Sequence, residues 1–493
     1  MRFNEIREMF KLRPYQENCV RSIYDYINSD RHDPVLVVAP VAAGKSLLLA
    51  EAARIMGGNT IILQPSKELL QQNYDKLISY NISATIYSAS CGKKELSNMI
   101  YATLGSVKKV IGQLKEMGIR NVLIDEAHAG YSPEEDSEFM KFMNELKPSK
   151  VIGFTATPCR LKTMSIGQVS YSQLNFITRM RPVYFKNLIH VIQVEEMIRQ
   201  GFWTPLKYET WDFNGDALKL NSNGSEYTAE SISEAVRKNG LNNLILRRLM
   251  VLKDVCRSIL VFMDSVESCN TAAEWMNAKI CAGMAEVVHG GTPKKQREAI
   301  VEGFKSGKTK VVFNYSALGT GFDHPGLDCV IVGRPTFSFS SFYQWLGRAV
   351  RIKDGKDSAL VVDCCNNSSR FGDIRKLSIE NYKGYGWGMF IGDKLITNIP
   401  MGDKVTKTDL DIKAAKKDRR RGLAQGVTAA PVPGRPDHPL GSTVMTFGKY
   451  CGWMFHSIPV SYFKFINETF DWSNDRNREI KEYIDFLIKN NRL

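Results

Sequence analysis

Short apolar runs alternate with amphipathic stretches along the first third of the chain. The runs are bounded by turn-forming residues and rich in branched side chains, which is typical of strands buried on both faces of a parallel sheet. The stretches between them have the period expected of covering helices. The strands predicted in this block are VLVVA (35–39), TIILQ (60–64), NVLID (121–125) and VIGFT (151–155).

A second block, between residues 258 and 363, repeats this alternation. Two such blocks predict two doubly wound α/β domains, because strands of a parallel sheet need helices on both faces. Residues 160–240 lie between the blocks and are aromatic and irregular, and we predict a connector with added strands there. The strands predicted in the second block are SILVF (258–262), EVVHG (286–290), KVVFN (310–314), CVIVG (329–333) and ALVVD (359–363).

The pattern changes again after about residue 370. A basic cluster, KKDRRRG (416–422), precedes APVPGRPDHPLG (430–441), whose prolines and glycines mark a linker. Such a basic run is more typical of a solvated surface than of a specific contact. The predicted divisions are a first α/β domain (1–165), a connector (166–240), a second α/β domain (241–370), a basic extension and linker (371–430), and a small aromatic-rich module (431–493).

The charge balance admits a polyanionic partner. Lys and Arg outnumber Asp and Glu by 66 to 52, which gives a net charge of +14, although solubility alone would explain this equally well. The ten cysteines form no C-x-x-C pair, so we predict reduced thiols in a cytoplasmic protein rather than disulfides or a zinc site. The N-terminus lacks the apolar core of a signal peptide, and Lys45 interrupts the best membrane-spanning candidate.

Residues 39–46, APVAAGKS, follow a predicted strand and run into the helical pattern KSLLLAEAARIM. This context predicts a phosphate-binding loop, with Lys45 reaching the β- and γ-phosphate oxygens and Ser46 offering its hydroxyl to Mg²⁺. Alanine at position 42, if left-handed, costs about 1 to 2 kcal/mol. Several hydrogen bonds to charged phosphate, each worth about 1.5 to 3 kcal/mol, outweigh that cost. The predicted nucleotide contacts of the loop are Ala42, Ala43, Gly44, Lys45 and Ser46.

Two carboxylates follow the strand NVLID, at the sheet edge where open α/β sheets bind ligands. Asp125 suits Mg²⁺, usually through water, and Glu126 suits a group that polarises water for attack on a γ-phosphate. A solvated acidic turn is the plain alternative for any Asp-Glu pair. The phosphate loop in the same predicted sheet favours the catalytic interpretation.

In motif order, roughly residues 10–365 resemble the motor of superfamily 2 helicases of the DEAH type. The resemblance implies two tandem RecA-like domains that use ATP with Mg²⁺ and act on nucleic acid. The matching segments are LRPYQ (12–16), QPSKELLQQ (64–72), YATLGSV (101–107), DEAH (125–128), TATP (155–158), LVFMDSVESC (260–269), VVHGGTP (287–293), YSALGTGFDHPGLD (315–328) and QWLGRAVR (344–351).

The resemblance also implies residue roles. An arginine that reaches across the cleft would stabilise the transferred phosphoryl group, which by family precedent is worth roughly 10³ to 10⁵ in rate. The implied positions are Arg13 and Gln16 at the base, Gly321 and Asp323 along the nucleotide, Lys45, Glu126, Gln344, Arg348 and Arg351 in catalysis, Ser46 and Asp125 at the metal, His128, Thr155 and Thr157 in coupling, and Thr103, Ser106 and Thr320 on DNA.

The spelling DEAH with QWLGRAVR resembles DNA-directed members more than DEAD-box RNA helicases. The layout is similar to RadD-like and phage recombination helicases, which implies work on forked or branched DNA in replication, recombination or repair. The expected compartment is a bacterial or phage-infected host cytoplasm, with replication or recombination proteins as further partners. Three alternatives stay open: the motor subunit of a restriction or repair nuclease complex, an RNA helicase, and a nucleotide-gated binding platform without turnover.

The tail FGKYCGWMFHSIPVSYFKFI (447–466) resembles a small module appended to some nucleases. Its basic and aromatic side chains could stack on nucleic acid, but aromatics at this spacing more often form a small core, which we favour. The side chains concerned are Lys449, Tyr450, Trp453, Phe455 and Tyr462.

Overall fold

The computed structural model describes residues 12–166, 169–319 and 322–414. Toward the C-terminus it describes residues 440, 443, 445, 450, 454–458, 460–469, 472 and 478–490. The chain divides into two compact units, one comprising 1–382 with 386–405 and the other 383–385 with 406–493. Within the described ranges, no helix is long and apolar enough to cross a membrane.

The first lobe of the larger unit is built on a sheet whose central strands are buried on both faces. Branched apolar residues fill these strands, so helices must cover both sides. Its strands are β1 (Val35–Val38), β2 (Thr60–Leu63), β3 (Thr85–Ser88), β4 (Lys93–Lys94), β5 (Met99–Ala102), β6 (Asn121–Ile124) and β7 (Lys150–Thr155). Its helices are α1 (Pro14–Ile27), α2 (Lys45–Met56), α3 (Lys67–Ile78), α4 (Leu104–Val107), α5 (Ile111–Glu116) and α6 (Glu138–Leu146).

The predicted connector contains strands that belong to both lobes. A long antiparallel hairpin comes first, and two further strands follow at the sheet edges. These elements are β8 (Cys159–Ile166), β9 (Val169–Phe176), β10 (Asn187–Val191), α7 (Val194–Arg199), β11 (Leu206–Thr210) and α8 (Ala229–Lys238). Strand β10 pairs in parallel with β1, which completes the first sheet in the order β10-β1-β7-β6-β2-β5-β3-β4.

The second lobe repeats the architecture around a six-stranded parallel sheet in the order β11-β16-β15-β12-β14-β13. Its strands are β12 (Ile259–Phe262), β13 (Ala285–His289), β14 (Val311–Tyr315), β15 (Cys329–Val332) and β16 (Ala359–Asp363). Its helices are α9 (Leu241–Val255), α10 (Val266–Lys279), α11 (Lys294–Ser306) and α12 (Phe339–Leu346). Every strand predicted in the two sequence blocks is present, so the predicted pair of doubly wound domains is confirmed.

Ordered structure continues into the segment predicted as a basic extension and linker from residue 371. A short helix is followed by antiparallel strands: α13 (Asn367–Phe371), β17 (Leu377–Tyr382), β18 (Gly386–Ile391), β19 (Lys394–Leu395) and β20 (Val405–Thr406). Strands β17 and β18 pair along their whole length. The basic cluster 416–422 lies outside the described residues.

The smaller unit contains α14 (Val460–Thr469) and α15 (Arg478–Lys489). Phe455 is 1% exposed and lies in a core with residues of both helices, while Tyr450 and Tyr462 pack against that core. The predicted small aromatic core is therefore confirmed for these residues. Lys449 and Trp453 lie outside the described residues.

Candidate functional site

The loop between β1 and α2 turns through two left-handed residues. Ala42 has φ 65° and Gly44 has φ 84°, so the conformation considered for Ala42 is the one observed. Gly44 is the N-cap of α2, and no side chain caps the first turn. The left-handed φ of Gly44 disfavours any other residue, and a methyl group there would also lie 2.5 Å from Gln16 Nε2.

Two acidic residues follow directly after β6. Asp125 is 2% exposed and Glu126 is 9% exposed. Lys45 Nζ lies 3.3 Å from Asp125 Oδ1 and forms a closer ion pair with Glu126. Glu126 has φ 46°, a left-handed conformation that a non-glycine residue holds only when its surroundings impose it. The phosphate-loop lysine and the acidic pair therefore meet at one sheet edge.

Burial and charge pairing act in opposite directions on this cluster. Burial disfavours the charged form of Lys45, but Asp125 and Glu126 together outweigh it and raise the lysine pKa. Burial also raises the pKa of Asp125, and the charge of Lys45 offsets part of that rise. The lysine therefore remains a cation at neutral pH, with two carboxylates beside it.

Asp125 is oriented by side chains that sequence reasoning missed. Asn73 Nδ2 donates to Asp125 Oδ2 at 2.8 Å and to Gln64 Oε1 at 3.0 Å. The N–H of Glu126 donates to the other carboxylate oxygen of Asp125 at 2.8 Å. Asn73 lies one residue beyond QPSKELLQQ (64–72), one of the segments that resemble helicase motifs. Because Asn73 lies on α3, far from Asp125 in the sequence, only the folded structure shows the contact between them.

His128 bridges the two lobes. Its Nδ1 lies 2.9 Å from Thr155 Oγ1, and its Nε2 lies 3.1 Å from Ser340 Oγ on α12 of the second lobe. Thr157 Oγ1 lies 3.1 Å from the same Ser340 hydroxyl. Burial, followed by the charge of Lys45, lowers the pKa of His128 to about 3, so the imidazole is neutral at physiological pH. Ser340 has no sequence signature and was missed.

Two arginines of the second lobe are held by the loop that follows β14. Arg348 donates to the carbonyl oxygens of Phe322 at 2.6 Å and Gly319 at 2.9 Å. Arg351 donates to Phe322 O at 2.8 Å and forms an ion pair with Asp323 at 2.7 Å. Burial, followed by the neighbouring charge of Arg351, lowers the pKa of Arg348 to about 9, which leaves it protonated at neutral pH.

A cavity of about 960 Å³ lies between the lobes and collects the predicted groups of both. Five polar side-chain atoms of its lining residues are buried without a hydrogen-bond partner among the described residues, and two of them belong to predicted catalytic residues, Glu126 Oε2 and Arg348 Nε. His128 Nδ1 is 3.4 Å from that Glu126 oxygen. The predicted residues that line the cavity are Arg13, Gln16, Ala42, Gly44, Lys45, Ser46, Asp125, Glu126, Asp323, Gln344, Arg348 and Arg351.

Of the two residues expected at the base, Gln16 contacts the phosphate loop and Arg13 contacts Gln16. Gln16 Nε2 donates to Ala43 O at 2.9 Å, and its Oε1 accepts from the N–H of Arg13 at 2.9 Å. The guanidinium of Arg13 lies 4.6 Å from the ring centre of Phe202. Gln16 thus supports the loop as well as lining the cavity.

Thr103 and Ser106, two of the residues expected to contact DNA, do not line the cavity. Thr103 Oγ1 and Ser106 Oγ are 3.1 Å apart, and Ser106 Oγ accepts from the N–H of Ala89 at 2.9 Å. Both hydroxyls therefore already have protein partners. Thr320 and Gly321, the remaining members of the predicted sets, lie outside the described residues.

The donor set in the cavity suits Mg²⁺. Across the described ranges, no three His, Cys, Asp or Glu side chains cluster as metal ligands. Mg²⁺ needs no such cage, because it usually takes one or two carboxylates, water and substrate phosphate oxygens. Ser46 and Asp125 line the same wall of the cavity as Lys45 and could supply the protein ligands.

Two family models match the chain, one on each lobe. Residues 9–160 match the model described as "Type III restriction enzyme, res subunit", and residues 242–353 match "Helicase conserved C-terminal domain". With the two RecA-like lobes and the shared cavity, these matches show that both lobes are similar to the motor domains of ATP-dependent helicases and restriction-enzyme subunits.

Individual proteins share this motor at low sequence identity. IRC3 of Saccharomyces cerevisiae, an ATP-dependent helicase by name, is 24% identical over 395 residues, which is 73% of this chain and 52% of IRC3. A 51.5 kDa protein of a Lactococcus phage is 24% identical over 66% of this chain and 65% of its own length. The chain thus spans less than two thirds of either relative. The solved structure of the Type ISP restriction-modification enzyme LlaBIII bound to DNA superposes with a TM-score of 0.53 at 15% identity, covering 84% of this chain and 30% of the enzyme, and shows the fold alone.

Proposed function

We propose that this chain is an ATP-driven DNA helicase or translocase that unwinds or branch-migrates forked and branched DNA. The observation that carries the proposal is the shared cavity, in which Lys45 and Glu126 of one lobe lie with Arg348 and Arg351 of the other. A phosphoryl-transfer site needs a cation at the phosphates, a group that orients water and cations for the developing charge. The cavity offers all three. The five-part division predicted from the sequence, with residues 166–240 as connector, is proposed with it.

In the proposed mechanism, Lys45 and the N–H groups that begin α2 bind the triphosphate. Glu126 orients and deprotonates the attacking water, and its Oε2, which accepts no hydrogen bond from the described residues, is the atom available for that proton. Arg348 and Arg351 stabilise the charge that develops on the γ-phosphoryl oxygens, with Gln344 beside them. Ser46 and Asp125 would hold Mg²⁺, which when bound neutralises part of the phosphate charge.

Coupling to movement is assigned to the bridge between the lobes. His128 contacts Thr155 on its own lobe and Ser340 on α12, the helix that directly precedes the arginine segment. A change at Glu126 can therefore reach α12 through the short backbone segment to His128 and the hydrogen bond between His128 and Ser340. Repeated opening and closing of the lobes would move a bound strand along both of them.

DNA is proposed as the track because helicase relatives and a DNA-bound structural neighbour share the motor fold. The net charge of +14 suits a polyanion. Thr103, Ser106 and Thr320 remain the proposed backbone contacts, which would make binding independent of sequence. The finer proposal, a resemblance to RadD-like and phage branch-migration helicases such as that of bacteriophage T5, supplies the choice of branched substrates.

A second candidate is the motor of a restriction or repair nuclease complex. The match of residues 9–160 to a restriction-subunit model favours it, as does the likeness to a restriction-modification enzyme. In that case the chain would move on duplex DNA without separating strands, and cutting would come from a partner.

The decisive experiment combines one variant with a panel of substrates. Glu126→Gln keeps the size of the side chain but removes the proton acceptor, so ATP hydrolysis should fall by at least about 100-fold while ATP binding persists. Strand separation is then measured on a fork, a four-way junction, a tailed duplex and an RNA duplex at one salt concentration, since backbone binding varies steeply with salt.

Faster unwinding of fork and junction than of tailed duplex supports the branched-DNA proposal. Equal rates on junction and tailed duplex would remove it and leave a general helicase. DNA-stimulated hydrolysis without strand separation would favour the restriction-type translocase, and preference for the RNA duplex would favour an RNA helicase. ATP binding without hydrolysis by the unmodified chain would leave only a nucleotide-gated platform.

A further inference from the structure

The chain passes from the first lobe to the second through a tightly packed turn. Helix α7 ends at Arg199, and Gly201 adopts φ 74°. The N–H of Gly201 donates to Ile198 O at 3.0 Å and that of Phe202 donates to Met197 O at 2.8 Å, which closes the helix and redirects the chain. The next residues, Phe202, Trp203 and Thr204, are named here the bridging tripeptide. Strand β11 of the second sheet begins two residues later, at Leu206.

One side of the bridging tripeptide contacts the phosphate loop. Trp203 is 2% exposed, and its indole Nε1 donates to Val41 O at 2.9 Å. Val41 precedes the left-handed Ala42, so this bond fixes the carbonyl at the start of the loop's turn. The ring of Phe202 packs edge-on to Tyr15 at 5.3 Å, and the hydroxyl of Tyr15 donates to Ala43 O at 3.3 Å.

The other side contacts the arginine segment. Thr204 is also 2% exposed. Its N–H donates to Val350 O at 2.8 Å, and its hydroxyl donates to Arg351 O at 2.7 Å. Three consecutive residues of the connector thus hold the backbone of the phosphate loop in one lobe and the backbone of the arginine pair in the other.

We propose that the bridging tripeptide positions the two halves of the catalytic site relative to each other, with Trp203 setting the shape of the phosphate loop and Thr204 setting the position of the arginines. This inference rests on the proposed ATP hydrolysis. Neither side chain lines the cavity, so both are positioning residues rather than catalytic ones. Because the connector joins the lobes covalently, any hinge motion changes the two sets of hydrogen bonds together.

A plain packing role would predict a different outcome from a positioning role. Removing a buried hydrogen bond lowers stability in either case. A positioning role also predicts that the two residues affect different kinetic constants. Trp203 should affect KM for ATP through the phosphate loop, and Thr204 should affect kcat through the arginines. The kinetic separation, rather than the stability, is therefore the measurement that decides.

The experiment uses the full chain and five substitutions, of which four are compared in kinetics and stability and the fifth, Thr204→Ser, tests rescue. Thr204→Val removes the hydroxyl at nearly constant shape, and Trp203→Phe removes the indole N–H. Thr309→Val is the matched control for the first, because Thr309 is 5% exposed and lies two residues before β14. Trp211→Phe is the matched control for the second, because its indole also donates a bond of 2.9 Å, to Glu209 Oε1. DNA-stimulated ATP hydrolysis gives kcat and KM, and thermal melting reports stability.

Thr204→Val should lower kcat about 10- to 100-fold with KM for ATP unchanged, since a displacement of about 1 Å at a catalytic group has that effect. Thr204→Ser should restore most of the rate. Trp203→Phe should raise KM for ATP about 5-fold, the value of one hydrogen bond. Both controls should keep wild-type kinetics.

Wild-type kcat in Thr204→Val, or the same fall in kcat in Thr309→Val, would overturn the bridging role while leaving the proposed motor intact. If kcat and KM both change in all four variants in proportion to the loss of melting temperature, the residues act through packing alone. That result would also overturn the bridging role. Absence of ATP hydrolysis by the unmodified chain would instead overturn the proposed function itself.

Discussion

Replacing Ala42 or Ala43 of the phosphate loop with glycine should change the stability of the protein in opposite directions. Ala42 has φ 65°, whereas Ala43 has no positive φ and is fully buried. Ala42→Gly removes a side chain from a conformation that disfavours it. Ala43→Gly removes a buried methyl group from a conformation that accepts it. The two variants share the same chemical change and differ in backbone geometry and in the burial of the methyl group that is removed.

The magnitudes follow from these two conformations. Relief at position 42 is worth about 1 to 2 kcal/mol, less about 0.4 to 1 kcal/mol for the freer unfolded chain, so Ala42→Gly should stabilise by about 0.5 to 1 kcal/mol. At position 43 the lost methyl group removes about 0.8 kcal/mol, and the same unfolded-state term adds to it. Ala43→Gly should therefore destabilise by about 1 to 2 kcal/mol.

The assay is thermal melting of each variant beside the unmodified chain, with and without an ATP analogue. The signs of the two shifts are the measurement, since a chain with two lobes need not unfold in one step. Shifts of equal sign and size at both positions would refute the argument from backbone geometry. They would mean that the left-handed conformation of Ala42 costs nothing measurable in the folded protein.

Two further predictions concern side chains around the acidic pair. Asn73→Ala should raise the Mg²⁺ concentration for half-maximal ATP hydrolysis about 10-fold, because Asp125 loses the amide that orients it. The control Gln71→Ala, on the same helix, should leave that concentration unchanged. Equal Mg²⁺ curves for the two variants would contradict the prediction. Because burial lowers the pKa of His128 to about 3, its neutral form persists at every higher pH, and it should contribute no inflection to the rate between about pH 5 and 8. An inflection in that range that disappears on replacing His128 by Gln would be evidence against a neutral imidazole.

The sequence predicted the strands of both sheets because their apolar runs are continuous and fully buried. Strands β3 and β5 of the first sheet were not predicted: β3 (TIYS) begins and ends with a polar residue, and β5 (MIYA) runs into the segment YATLGSV (101–107), which was matched as a motif. Strands β10 and β11 join opposite sheets although they lie in one irregular stretch, and that assignment depends on pairing partners distant in sequence. Local pattern cannot show such pairing.

The residues of the candidate site also fall into two groups, those that the sequence predicted and those that it did not. Lys45, Glu126 and the two arginines lie in segments whose spacing and neighbours are distinctive, and the structure places all of them on one cavity. Asn73, Ser340 and Trp203 act through contacts to other parts of the chain, and their residue types are common at any buried position. The left-handed conformation of Glu126 also has no sequence signal, because glutamate rarely adopts it.

Gly347, at the end of α12, sets how closely the lobes can approach at the phosphate loop. A methyl group at this position would lie 2.6 Å from Val41 Cβ, well inside van der Waals contact. The branched side chain of Val41 therefore rests directly on bare backbone of the opposite lobe. The contact between Val41 and Gly347 therefore limits how closely the two lobes can approach. It also limits how far Arg348 and Arg351 can extend toward the phosphate loop.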